Sequence, residues 1–304
     1  MSPEKRATIV ASSVATLLTI VKFAIGVASG SVAVLASAID SLLDTLISIF
    51  NFFAIKKSEE KADENFQYGK GKVQAIAAVI EGTIITISGL YIIYEAIQKA
   101  WHGSETTLLT PAIVAMLISI VVTFFLVQYL LKVAKKTDNL VIKSDALHYK
   151  TDLWSNGAVL LALVIVHFTG LDMVDALFGF GIGVYIIYSA YEIIKEGVLI
   201  LLDRALEREV VKQIEEIIDA HEEVNGFHWL KTRTDSSTNF VEFHLVLRPN
   251  LYLIEAHRIS DEIEEKIMAL EPNKPWLITP HYYPFDDSAI NECMATGSVY
   301  CKQV

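Results

Sequence analysis

Residues 32–54 read VAVLASAIDSLLDTLISIFNFFA, an apolar run broken by two carboxylates, Asp40 and Asp44. A helix that crosses a bilayer needs about 20 predominantly apolar residues. An ionised aspartate near its centre costs roughly 2.5–3.5 kcal/mol on insertion scales. Two aspartates four residues apart stack one turn above the other on a single helix face. The stretch therefore reads as a membrane helix with a costly polar stripe, and such a stripe needs a partner.

Five further runs reach spanning length, at 7–28, 73–98, 111–133, 145–167 and 174–198, so six spans are expected. Gly30 and Ser31 make a tight turn after the first, and Thr169–Asp172 a short one before the last. The connections 55–71 and 134–144 are longer and polar. They and the N-terminus hold the positive charge: Lys5 and Arg6, then Lys56, Lys57, Lys61, Lys70 and Lys72, then Lys132, Lys135, Lys136 and Lys143. The odd-numbered connections hold only Lys99. The positive-inside rule then makes both termini and the even connections cytoplasmic, in a multi-pass protein of the cell inner membrane. No cleavable leader is expected, because the first apolar run is long enough to span.

The 304-residue chain has 53% hydrophobic residues and a mean hydropathy of +0.42, too apolar for a soluble protein and too charged to be all membrane. The polar part is segregated. We expect a transmembrane domain at 1–203, a cytoplasmic domain at 204–285 and a disordered tail at 286–304. In the second domain 207–220 and 254–270 have helical periodicity. Residues 239–247 alternate with period two, and 226–234 and 275–282 read as strands. An αββαβ order folds as a small two-layer α/β sandwich. The net charge of -11 excludes nucleic acid as a partner, and the acidity of this domain reads as a solvated surface. Cys293 and Cys301 are too few and too terminal for a disulfide framework.

The partner for the polar stripe is in span five. His148 and Asp152 are also four apart, so they too share one helix face. If the two faces meet, three carboxylates and one imidazole converge. Their mutual repulsion and desolvation are relieved by a divalent cation, and four ligands suit tetrahedral zinc. The bland reading, separate helix-end groups, explains one aspartate better than two matched pairs.

The motifs Ser37-Ala-Ile-Asp40-Ser-Leu-Leu-Asp44, Asp145-Ala-Leu-His148-Tyr-Lys-Thr-Asp152, Asn156-Gly157-Ala158, Tyr68-Gly69-Lys-Gly71-Lys72 and Leu201-Leu-Asp203-Arg-Ala-Leu resemble the cation diffusion facilitator family. The likeness is strongest to its bacterial ferrous-iron and zinc efflux members and runs from about residue 5 to 284. It implies a homodimeric metal/proton antiporter with a metallochaperone-like, ferredoxin-like cytoplasmic domain and a transport site at Asp40, Asp44, His148 and Asp152. It also implies a cytoplasmic metal site at His228, His244, His257 and His281. The aspartate that bridges two metals in the family is replaced here by Tyr283, which puts a binuclear site in doubt and leaves Asp286 or Asp287 as substitutes. The family's weak loop site keeps Asp63, but Phe66 and Lys70 stand at its histidine positions, so that site is expected to be absent. Lys72 and Asp203 match a charge interlock near the dimer axis.

Glu81, inside span three, reads as a dimer-interface or cavity residue ahead of a proton-path residue. His221 and His102 match no ligand position, and His167 reads as interfacial. The expected partners are a second copy, membrane lipid, metal ions and protons. The expected cargo is Zn²⁺ or Fe²⁺, with Cd²⁺ or Mn²⁺ compatible with the ligands, and no catalytic cofactor. A membrane metalloenzyme is disfavoured by the lack of a His-Glu-x-x-His pattern and of an open coordination position. A membrane-anchored sensor has no use for four buried ligands.

Overall fold

The computed structural model describes residues 2–29, 32–102, 110–169, 173–272 and 274–286. Cys293, Cys301, Asp287 and the tail expected to be disordered lie outside them, apart from Asp286. The chain divides into two compact units, Met1–Leu199 and Ile200–Val304.

The first unit holds six helices: α1 (Pro3–Ser29), α2 (Val32–Ser58), α3 (Val73–His102), α4 (Thr110–Thr137), α5 (Leu140–Thr169) and α6 (Met173–Leu201). Each expected span lies inside one of them, and most helices run a turn past the apolar run. The extension of α2 carries Lys56 and Lys57 in its last turn, where cations complement the carbonyl end of the helix dipole. Among the described residues, Pro3–Ile25, Val73–Gln98 and Leu117–Thr137 are long and apolar enough to cross a membrane. Leu17, Ile20, Phe23, Leu46, Phe53, Ile87 and Phe125 face outward from the bundle, as lipid-facing side chains do.

Two packing devices hold the bundle. Ala7, Ala11 and Ala15, spaced four apart on α1, are fully buried against Leu126, Val127 and Leu130 of α4 and Ala146 of α5. Small residues at that spacing let helix backbones approach where lipid offers no hydrophobic drive. Glycine does the same between α3 and α6. A Cβ on Gly183 would lie 2.5 Å from Ile93 Cγ1 and 3.0 Å from the Gly89 carbonyl oxygen.

The start of α5 sets the register of its functional face. Asn139 caps the helix, its Oδ1 accepting from the Ile142 amide at 3.1 Å. Its Nδ2 donates to Gln74 Oε1 at 3.0 Å, and Gln74 Nε2 donates to Ser58 Oγ at 2.8 Å. This chain of amides ties the end of α2 to the starts of α3 and α5.

The second unit runs α7 (Arg208–Asp219), β1 (Gly226–Thr234), β2 (Asn239–Val246), α8 (Leu253–Met268) and β3 (Trp276–Tyr283). This is the expected αββαβ order, with α8 ending earlier than the periodicity implies because Ala269 is its C-cap. The sheet order is β1-β2-β3, with β1 antiparallel and β3 parallel to β2. Helix α8 is the crossover that a parallel pair requires. Val241, Phe243 and Leu245 of β2 point into a core with Ile214 and Ile218 of α7 and Ile259, Ile263 and Ile267 of α8. Alternation then puts Glu242 and His244 on the sheet face away from the helices.

Candidate metal centre

Helices α2 and α5 meet at the polar positions of both. His148 Nε2 lies 3.0 Å from Asp44 Oδ1 and 3.6 Å from Asp152 Oδ2. One ligand atom from each of the three falls within 4.8 Å of the others. Asp152 and His148 are stacked by the four-residue spacing of α5, and Asp44 arrives from the facing helix. Asp40 lies one turn before Asp44 on α2, with its side chain outside the described residues. Asn156, one turn beyond, donates to the Asp152 carbonyl oxygen at 2.8 Å. On the other side the Tyr149 hydroxyl is 2.8 Å from Ser48 Oγ, which bolts α5 to α2 next to the ligands.

These groups border a cavity of about 270 Å³ that is also lined by Lys22, Ser41, Ser119, Thr123 and Asn156. Lys22 was not legible as a site residue. It is buried in α1, and its Nζ donates to Ser41 Oγ at 2.8 Å. The signal for it was a lone ionisable residue within an apolar span, which as a rule faces a polar cavity. An ammonium on that wall offsets part of the charge of the carboxylates.

The loop after α2 is arranged differently. Lys70 Nζ lies 2.6 Å from Asp63 Oδ2 and 2.9 Å from Glu60 Oε2, and 5.0 Å above the Phe66 ring. Asp63 Oδ1 accepts from the amides of Asn65 and Phe66 at 2.9 and 2.8 Å. The Lys70 bond is the chief cause that holds the Asp63 carboxyl below its ordinary range, and Asp63 in turn raises the Lys70 ammonium. A carboxyl lowered by folding stabilises the loop above its unfolded value, and that contribution is lost as pH falls through the folded one.

In the second unit three of the four expected histidines form a row across the sheet. His228 is paired in register with His244, and His244 with His281. His244 Nδ1 is 3.2 Å from His228 Nε2, and the His244 and His281 rings are 5.2 Å apart. Asp286, one of the two substitutes considered for the missing aspartate, has Oδ1 3.7 Å from His228 Nδ1. Tyr283 instead stacks on His244, with centroids 4.6 Å apart. His257 does not join the row. It is exposed on α8, 3.4 Å from Asp261, and α8 covers the opposite face of the sheet. Within this chain His257 therefore lies apart from the other three.

The strand expected at 226–234 also carries a bulge between His228 and Lys231, with Trp229 at φ 58°. A bulky residue in the left-handed region is strained. Trp229 stacks on His244, and the Lys231 ammonium sits 3.9 Å from the indole centroid. His221 is a structural residue. It is buried 3.2 Å from Glu262, which Arg258 bridges to Glu223. Asp203, at φ 57°, lies 3.4 Å from Arg233 Nη1. The side chains of His102 and His167 lie outside the described residues.

Comparison with known proteins decides the family. Residues 8–202 match the cation efflux transmembrane domain, and 206–282 match the cation efflux protein cytoplasmic domain. The chain belongs to the cation efflux family. Cation efflux transporters similar to it include the cation-efflux pump FieF of Citrobacter koseri, 36% identical, and that of Escherichia coli K12 (DH10B), 34% identical. Each alignment covers 90% of this chain and 91% of the relative. Family membership and the apolar helices make this a multi-pass membrane transporter whose substrates are metal cations.

Proposed function

We propose that this chain exports divalent metal ions, Zn²⁺ or Fe²⁺ above Cd²⁺ or Mn²⁺, in exchange for protons. The ligands are Asp40, Asp44, His148 and Asp152. The observation that carries the reading is the convergence of Asp44 and Asp152 on one nitrogen of His148 beside a cavity between helices. Carboxylates and an imidazole attract a divalent cation, and each must be deprotonated to bind it. Metal and protons therefore compete for the same atoms. Loading from the cytoplasm expels protons, and protons arriving from outside displace the metal. Alternating access of one site to the two sides converts that competition into antiport. Three oxygens and one nitrogen form a hard set, so choice among metals comes from geometry and availability.

The working unit is a homodimer in the inner membrane with both termini cytoplasmic. The row His228–His244–His281 with Asp286 is a cytoplasmic metal site, and His257, on the far face of its own domain, reaches such a site only from a second protomer. The Lys70 ammonium at Asp63 substitutes for a loop metal. Replacing it tests this: the double variant Phe66→His/Lys70→His is expected to bind one additional Zn²⁺ per protomer by equilibrium dialysis, and an unchanged count would reject the assignment.

The function is tested with purified protein in proteoliposomes under an imposed pH gradient. Zinc is expected to move opposite to the protons, uphill against its own gradient, and collapsing the gradient with an ionophore should abolish that uphill movement. Zinc flux indifferent to the gradient would rule out antiport, and no flux at all would return the chain to a sensor or an enzyme.

A further inference from the structure

A second polar cluster lies one turn along α5 from the metal ligands, and neither the ligand set nor the family comparison uses it. Glu81 of α3 and Asp145 of α5 are 1% and 0% exposed. They share one partner: Asn51 Nδ2 donates to Glu81 Oε2 at 3.1 Å and to Asp145 Oδ1 at 3.3 Å. Glu81 Oε1, Asp145 Oδ2 and Asn51 Oδ1 have no hydrogen bond. Beside them the Ser144 hydroxyl is fully buried and makes no hydrogen bond either. Four buried oxygens are therefore unsatisfied around two carboxylates, and a buried polar atom without a partner is rare enough to need an explanation.

The charged groups facing this cluster do not neutralise it. His148 of α5 faces both carboxylates but is shared with Asp44 and Asp152, Asp44 of α2 adds negative charge, and Tyr149 bonds Ser48. Helix α6 presents Ala190 and Ile194 to this stretch of α3. Lys143, two residues before Asp145, is held by Asp138 and Glu196. Two carboxylates on one amide, with the imidazole that faces them already shared by Asp44 and Asp152, is the arrangement in which like charges force one proton to be retained.

We propose that Glu81 and Asp145 form a proton-binding site distinct from the metal ligands, holding one shared proton that is released when metal occupies the ligands a turn away. A bound divalent ion adds positive charge at that distance in a low dielectric and lowers the proton affinity of the pair. By reciprocity a protonated pair weakens metal binding. The proposal rests on the transport-site reading, and the test separates the two.

Protons released per Zn²⁺ bound are counted with the full-length protein in nanodiscs, by calorimetry in buffers of differing ionisation enthalpy. Glu81→Gln keeps the shape and cannot ionise, and is expected to release one proton fewer than wild type. Asp145→Asn gives an independent second reading with the same expectation. Asp44→Ala is the control for the ligand site and should remove the membrane-site zinc altogether. If both amide variants match wild type while Asp44→Ala loses that zinc, the proton pair is refuted and the metal site stands. If Asp44→Ala also binds and releases as wild type, both readings fail. A second zinc lost in Glu81→Gln would make the cluster a metal site and overturn the proposal.

Discussion

Asp44→Ala should reduce zinc flux at least roughly a hundredfold, because even a residue that only orients a metal ligand is worth 10–100-fold and Asp44 is in direct reach of the metal position. The variant leaves His148 Nε2 with Asp152, 3.6 Å away, as its remaining described carboxylate partner. The cost should fall on function and not on the fold. Carboxylates gathered beside one imidazole repel one another when no metal is bound, and relief of that repulsion offsets the 3.0 Å bond to His148 that the substitution removes. We therefore expect Asp44→Ala to elute as a dimer and to melt no lower than wild type without metal, while zinc no longer raises its Tm. Normal stability with lost metal response marks a ligand. Loss of both would mark Asp44 as structural and remove it from the site.

Phe243→Ala should have the largest effect on the cytoplasmic unit. Phe243 is 0% exposed and packs among Ile259, Ile263 and Val241. Truncating a buried phenylalanine costs about 3–5 kcal/mol, against a total of about 5–15 kcal/mol for a domain. The measurement is amide hydrogen exchange across β2 in the full-length protein, where the exchange of the most protected amides should rise about a hundredfold or more. His244→Ala, the next residue on the same strand, should leave those amides nearly unchanged. It lies on the helix-free face, where its ring meets those of His228, Trp229, His281 and Tyr283. It should instead weaken cytoplasmic metal binding. Equal effects of the two substitutions would contradict the strand parity on which the histidine row depends.

The transmembrane helices were legible because hydrocarbon imposes length and apolarity, and the polar stripe on α2 was legible because charge there is costly. The pairing of Asp44 with His148 followed from helical spacing on both elements. Lys22 was not found, since one lysine among apolar residues carries no spacing signal. The row His228–His244–His281 was foreseeable from strand order. The exclusion of His257 from it was not, because the side of the sheet on which α8 packs depends on tertiary packing, not on local period. The Trp229 bulge escaped for a related reason: one inserted residue leaves the alternation of 226–234 almost intact. Glu81 and Asp145 were visible as letters, but only the packing of α3 on α5 joins them through Asn51.

The most direct test of the central claim is the zinc K-edge absorption spectrum of the full-length protein loaded with one Zn²⁺ per protomer, with His228, His244 and His281 replaced by alanine so that the remaining metal reports the membrane site. The expected spectrum is that of a four-coordinate shell of light atoms at about 2.0–2.1 Å with the scattering signature of a single imidazole, and it should disappear in Asp44→Ala. A shell holding two or more imidazoles, a sulfur at about 2.3 Å, or a spectrum unchanged by Asp44→Ala would contradict it.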